Sequence, residues 1–294
     1  MATSSPSSTA PAASNAVLGV VLMSLAMLMI PLVDGLAKHL SGAHSPLFIS
    51  WARYAVACFI VLPFAVVRYG RAVLPRERLG SHLLRTVFLM AAMTLYFLAI
   101  ARIPLATAIS AYFVGPILAT VLAVMWLGER LTVRKILALV LGFAGAMLIL
   151  RPDGQLEPGI LLAMGSGAFF ALYLIATRQA SQSSDPLKTL VFQCLVGALL
   201  LTPQAFWAWS VPMPAEVPFF LAMGILSALS HILSITAFRY AEASTLAPLV
   251  YLELVASALV GFYVFGDLPG TSVWLGAAVI VAGGLLLLRR SEPS

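Results

Sequence analysis

Apolar runs of near-constant length alternate along this chain with short polar or Pro/Gly-containing breaks, at residues 17–36, 47–67, 83–100, 106–127, 136–150, 159–176, 187–207, 217–238, 246–265 and 273–288. A helix needs about 20 residues to cross roughly 30 Å of hydrocarbon. The pattern therefore predicts an all-α membrane protein of ten transmembrane helices. Composition agrees: of 294 residues 61% are apolar and only 10% are charged, against roughly 25% charged in an average soluble domain. Ten spans use roughly 200 residues, which leaves no room for a separate aqueous domain and argues against a soluble enzyme. The first stretch, 1–15, is Ser, Thr, Ala and Pro with no Lys or Arg. It lacks the basic region of a secretory signal and is expected to be a disordered cytoplasmic tail, with 291–294 forming a second tail.

The net charge of +6 raises the question of nucleic acid or membrane, and the placement of the charges answers it. Thirteen of the seventeen basic residues fall on one side of the ten spans: Arg68, Arg71, Arg76, Arg78, Arg85, Arg130, Arg134, Lys135, Arg178, Lys188, Arg239, Arg289 and Arg290. The other side receives Lys38, Arg102 and Arg151. Cytoplasmic loops carry the excess of Lys and Arg, so both termini are expected in the cytoplasm and no nucleic-acid partner is needed. Cys58 and Cys194 lie inside apolar runs, which supports neither a disulfide framework nor a thiolate metal site. No Walker loop, HExxH, Cys/His metal spacing or G-x-S-x-G elbow is present. Neither an enzyme, nor a metal or cofactor, nor a self-contained ATP-driven pump is expected.

An internal repeat is visible. A shift of 140 lays Pro46, Leu47 and Pro63 on Pro186, Leu187 and Pro203, and Lys38 on Arg178. A shift of 138 lays Ala99 on Ala237, Thr107 on Thr245, Gly128 on Gly266, Glu129 on Asp267, Gly145 on Gly283 and Arg151 on Arg289. The chain reads as two five-helix units, 16–151 and 156–290. Because five is odd, the copies would cross the membrane in opposite senses, the inverted-repeat plan of secondary transporters, around a central cavity.

The stretch Gly128-Glu129-Arg130-Leu131-Thr132 follows a span with Gly115-Pro116 and precedes one with Gly142 and Gly145. It resembles the signature of the EamA family of the drug/metabolite transporter superfamily. Arg53, in Trp51-Ala52-Arg53-Tyr54, matches the arginine of that family's second helix. The second half adds Ala247-Pro248, Tyr251 and Gly266-Asp267-Leu268-Pro269, although Asp267 replaces the more usual Glu and Pro269 departs from the first-half pattern. The resemblance covers the chain after residue 15 and is strongest to YddG-type exporters of amino acids, aromatic ones above all. It implies a ten-helix transporter of the bacterial inner membrane that exports small amphipathic metabolites by alternating access, as a monomer, with a homodimer the lesser option. It leaves open a multidrug or S-adenosylmethionine-type carrier. A flippase for lipid-linked substrates and a membrane scaffold without transport stand as readings from other classes.

Charges within spans are costly and are the default site candidates. Asp34 and Lys38 are spaced i, i+4 and are expected to pair. Arg53 lies too deep in its span to snorkel easily; it is either a fork for a substrate carboxylate or a helix tie through Asp34 or backbone carbonyls. Glu253 stands near midmembrane and is a candidate for proton exchange or for binding an ammonium group. His231, among Ser227 and Ser230, is the second candidate for proton coupling. Gln193, opposite Arg53 under the repeat, is a candidate cavity residue. Trp51, Tyr96, Tyr112, Tyr173 and Tyr251 offer stacking surfaces for an aromatic or lipophilic-cation substrate. Pro31, Pro116, Pro203 and Pro248 mark kinks or hinges. Small residues at Ala138, Gly142 and Ala146, and at Gly276 and Gly284, allow close helix approach.

Overall fold

A computed structural model describes residues 13–100, 102, 111–150, 158–182, 184–265 and 270–288. All regular structure among them is helical. The elements are α1 (Ala13–Leu40), α2 (Pro46–Tyr69), α3 (Leu79–Ile100), α4 (Val114–Leu127), α5 (Val133–Leu150), α6 (Pro158–Ser181), α7 (Pro186–Trp207), α8 (Val217–Tyr240), α9 (Ala243–Leu246), a 3₁₀ turn (Ala247–Tyr251), α10 (Leu252–Phe265) and α11 (Thr271–Leu288). Six stretches are long and apolar enough to cross a membrane: Ala16–Ala37, Pro46–Tyr69, Leu79–Tyr96, Pro158–Ser181, Pro186–Trp207 and Val217–Tyr240. Val114–Leu127, Ala243–Ala256 and Trp274–Leu287 are shorter apolar helices. The tail 1–12, the connection around Thr107, and Asp267 and its neighbours lie outside the described residues.

Local chemistry sets the helix ends. Ser45 caps α2 by accepting from Leu47 N, and Asp185 caps α7 by accepting from Leu187 N and Lys188 N; each cap is followed by a proline at the first helical position, where a missing N–H costs nothing. Gly128 ends α4 in the left-handed region at φ 65°, which needs no Cβ and lets Glu129 N donate back to Ala123 O at 3.3 Å. That turn aims the Glu129 side chain back at the bundle. Pro116 is the third residue of α4, so it starts a helix and does not interrupt one. The expected span 246–265 is not a single regular helix. Pro248 cannot donate, and Ala247–Tyr251 tightens into 3₁₀ geometry before α10 begins. Pro31 and Pro203 sit within α1 and α7.

The helices pack in pairs that exchange the two halves of the sequence. α1 packs on α8 and α3 on α6; α4 packs on α6 and α1 on the 3₁₀ turn and α10; α2 meets α7, and α5 meets α11. The α5–α11 seam is made by small residues: a Cβ on Gly145 would lie 2.6 Å from Gly276 O, and one on Gly283 would lie 3.2 Å from Ala138 O. The central core runs through Met23, Tyr54, Leu89, Phe113, Leu174, Phe238, Leu249 and Tyr251. Large apolar side chains such as Phe59, Val67, Met125, Leu161 and Leu199 point outward, as a lipid-facing surface requires.

Candidate functional site

A cavity lies between α1, α2, α3, the start of α4, α6, α8 and α10, with about 900 Å³ of unfilled space between its walls, its open side included. Asp34 comes from α1, Arg53 from α2, Tyr96 from α3, Tyr112 from the turn before α4, Ser166 and Phe170 from α6, Ser227, Ser230 and His231 from α8, and Glu253 from the first turn of α10. Both halves contribute. The 3₁₀ turn before α10 delivers Glu253 to this wall.

Arg53 holds its guanidinium without a carboxylate partner among the described residues. Its Nη2 donates to Tyr54 Oη at 3.2 Å and to Met93 Sδ at 2.6 Å, and its guanidinium carbon stands 5.0 Å from the Tyr54 ring centroid. Among the described residues its buried Nε has no partner. A tyrosine and a thioether hold the fork in place, with the Asp34 and Glu253 carboxylates on the same cavity but none at ion-pair distance. Asp34 lines the cavity; the side chain of Lys38, its expected partner, lies outside the described residues. Among the described residues, neither Asp34 nor Glu253 accepts a hydrogen bond. His231 faces the same space and stacks on Tyr54, 6.4 Å between centroids. Tyr96 and Tyr112 contact each other at 5.6 Å, and Tyr112 contacts Phe170 at 5.4 Å, giving one aromatic wall.

Four other residues singled out from the sequence stand elsewhere in this conformation. Trp51 donates from Nε1 to Thr202 Oγ1 at 3.2 Å and packs with Phe48 and Trp209, where the α1–α2 and α7–α8 connections meet. Tyr251 is fully buried; its hydroxyl donates to Phe113 O at 3.0 Å and its ring covers Gly142. Tyr173 and Gln193 are buried beside Arg85. Sequence reasoning placed Arg85 among the loop charges and Asp34 in a local pair. Arg85 falls inside the predicted span 83–100, and because α3 starts at Leu79 it lies beyond the first helical turn, fully buried.

The two ends of the bundle are tied differently from its centre. At one end Glu129 accepts from Ala243 N at 2.9 Å, Ser244 N at 2.8 Å and Ser244 Oγ at 2.6 Å, with Arg178 Nε at 3.7 Å. Beside it Lys135 Nζ donates to the Glu242 carboxylate, to Ser244 Oγ and to Arg130 O. At the other end His44 bonds Ser210 and Glu216. Glu216, outside the spans, is held below the ordinary carboxylate range by the Met213 backbone N–H and then by His44. Among the described residues, no group of three or more His, Cys, Asp or Glu could hold a metal ion.

Comparison with known proteins fits this architecture. A model of the EamA-like transporter family matches residues 17–151 and 157–289, and the chain belongs to that family. It is a multi-pass membrane transporter, not an enzyme. It is 30% identical over 273 residues to the riboflavin transporter of Vibrio cholerae, covering 90% of each chain. It is 26% identical over 277 residues to the S-adenosylmethionine uptake transporter of Rickettsia prowazekii, covering 94% of each. A solved crystal structure superposes with a TM-score of 0.80 at 19% identity, covering 93% of this chain and 96% of that one, a likeness of fold. The expected likeness to aromatic amino-acid exporters finds no support in these relatives, whose names specify S-adenosylmethionine and riboflavin.

Proposed function

We propose that this protein carries a small cationic, aromatic metabolite of the S-adenosylmethionine class across the bacterial inner membrane, by alternating access of two inverted five-helix repeats around the central cavity. The observation that carries this reading is the charge balance of the cavity. Among the described residues that line it, two carboxylates, Asp34 and Glu253, accompany one guanidinium, Arg53, so that with all three ionised one negative charge is left for the substrate to meet. S-adenosylmethionine brings an ammonium, a sulfonium and a carboxylate. Its carboxylate suits the Arg53 fork, its two cations suit the two acids, and its adenine suits the wall of Tyr96, Tyr112 and Phe170. A neutral amino acid or riboflavin brings no surplus cation, so one of the two acids would have to take up a proton when it binds.

The repeat reading draws support from the helix pairing, which is unchanged when the halves are exchanged, and from the matched Ser45-Pro46 and Asp185-Pro186 caps. The S-adenosylmethionine relatives are named uptake transporters, so we propose import in place of the export expected from the sequence. The basic loops support a cytoplasmic position for both termini and for the end of the bundle that holds Glu129 and Arg178. In this scheme Glu253 and His231 remain the groups for any proton coupling.

The test is counterflow of labelled S-adenosylmethionine in liposomes containing the purified protein. Uptake that methionine at equal concentration fails to compete supports the reading. Full competition by methionine, with uptake of methionine itself, returns the substrate to the amino acids.

A further inference from the structure

One cationic group remains unexplained by the cavity. Arg85 of α3 is fully buried. Its Nε donates to Thr177 Oγ1 at 2.8 Å, and its Nη2 donates to Tyr173 Oη at 3.3 Å and to Gln193 Oε1. Its guanidinium carbon stands 5.1 Å from the Tyr173 ring centroid. Every acceptor is neutral, and no described carboxylate reaches ion-pair distance. Among the described residues Nη1 has no partner, and neither has Nε2 of Gln193, the residue that accepts from the same guanidinium. A buried guanidinium without a counter-charge is an expensive feature that structural packing alone does not require.

Its position suggests the use. Leu89, one turn further along α3, lines the central cavity, and so does Phe170, whose ring lies 5.8 Å from Tyr173. On the other side, His82 Nε2 lies 2.8 Å from Ser184 Oγ in the α6–α7 connection. Arg85 therefore sits between the cavity floor and the end of the bundle proposed to be cytoplasmic. Its own helix belongs to the first half of the sequence and its three acceptors to the second.

We propose that Arg85, with Gln193, is a second anion-binding site, which receives the carboxylate of the substrate as it passes between Arg53 and the cytoplasmic face. The inference rests on the transport reading above. Closed, Arg85 ties the halves together through neutral acceptors. When α3 parts from α6 and α7, those bonds break, and a carboxylate replaces them with charge-assisted bonds from the planar fork while Gln193 Nε2 supplies a further donor. The substrate then compensates the arginine at the moment the path opens.

The test compares S-adenosylmethionine with its decarboxylated analogue, which keeps the adenine, sulfonium and ammonium groups. Proteoliposomes carry wild type, Arg85→Gln or Arg85→Lys, each first checked for a single symmetric size-exclusion peak. The expected result is a loss of at least tenfold in S-adenosylmethionine uptake for R85Q, a smaller loss for R85K, and a change under twofold for the decarboxylated analogue. Equal losses for both compounds, or none for either, overturn the anion site. If R85Q does not fold, R85K alone decides, since it keeps the charge and loses the fork: a loss confined to the carboxylate-bearing compound supports the site, and a parallel loss overturns it. A wild type that moves neither compound contradicts the substrate reading itself. The same variants are then compared on phenylalanine and phenylalaninamide, where an R85Q loss confined to the acid supports the anion site and equal effects on acid and amide overturn it.

Discussion

Glu129 and Glu253 are two carboxylates in the same bundle with opposite surroundings. Glu129 is 8% exposed and has two backbone N–H groups, a hydroxyl and an arginine around it. Glu253 faces an open cavity and, among the described residues, accepts nothing. A charge whose lone pairs are filled by the protein holds the protein together, because its desolvation is already offset. A charge left without donors on a cavity wall is stabilised only when something enters. The difference is the physical basis for proposing Glu129 as a structural tie and Glu253 as a binding group.

That contrast can be broken by substitution. The largest effect is expected for E129A, which strands the Ala243 and Ser244 N–H groups and unpairs Arg178. It should destabilise the protein by about 3–5 kcal/mol, read as a lowered unfolding midpoint in detergent. Next is R53Q, which removes a charge-assisted fork of about 1.5–3 kcal/mol; apparent substrate affinity should fall roughly ten- to hundredfold in counterflow, with the unfolding midpoint little changed. E253Q and D34N should each cost transport on the order of tenfold and leave the unfolding midpoint unchanged or raised, because each removes a cavity charge that has no donor among the described residues. An E253Q protein with normal transport would remove Glu253 from the site.

Tyr251→Phe should lose about 1 kcal/mol of stability with its bond to Phe113 O and keep its transport rate, because that hydroxyl points into protein. The smallest effect concerns Glu216. Its folded-state carboxyl lies below its ordinary value of 4.5, so its contribution to stability is present above that value and fades as pH falls through the lower folded value. E216Q should flatten the part of the stability profile that falls away as pH drops below 4.5, measured by thermal unfolding.

The six long apolar spans and the small residues Ala138 and Gly276 of the α5–α11 seam are legible in the chain, because lipid imposes apolar length and close approach needs small side chains. Every backbone group must be paired inside a helix, so apolar length and Pro/Gly breaks locate elements well. The Pro46 and Pro186 starts and the Gly128 turn are local features with local signals. Facing was harder to read. A helix surrounded by lipid on one side and apolar protein on the other is hydrophobic all round, and periodicity no longer tells which residue looks inward. Tyr112 and Tyr251 are both tyrosines within predicted spans, yet one lines the cavity and the other seals Gly142. Asp34 lines the cavity, while the side chain of Lys38, its expected i+4 partner, lies outside the described residues. Arg85 is the third residue of its predicted span 83–100, and a charge so close to a span end reads as interfacial; α3 begins four residues earlier, with Ser81 and His82 in the helix, and that carries Arg85 inward.

The most direct test of the central claim is uptake of labelled S-adenosylmethionine into proteoliposomes by the wild type and by the D34N/E253Q double variant, with phenylalanine, threonine and methionine as parallel substrates. The account predicts uptake of S-adenosylmethionine by the wild type, at least tenfold less by the double variant, and weak uptake of the three amino acids. Equal uptake of S-adenosylmethionine by both proteins, or amino-acid uptake that exceeds it, would contradict the assignment of the two cavity carboxylates to a cationic substrate.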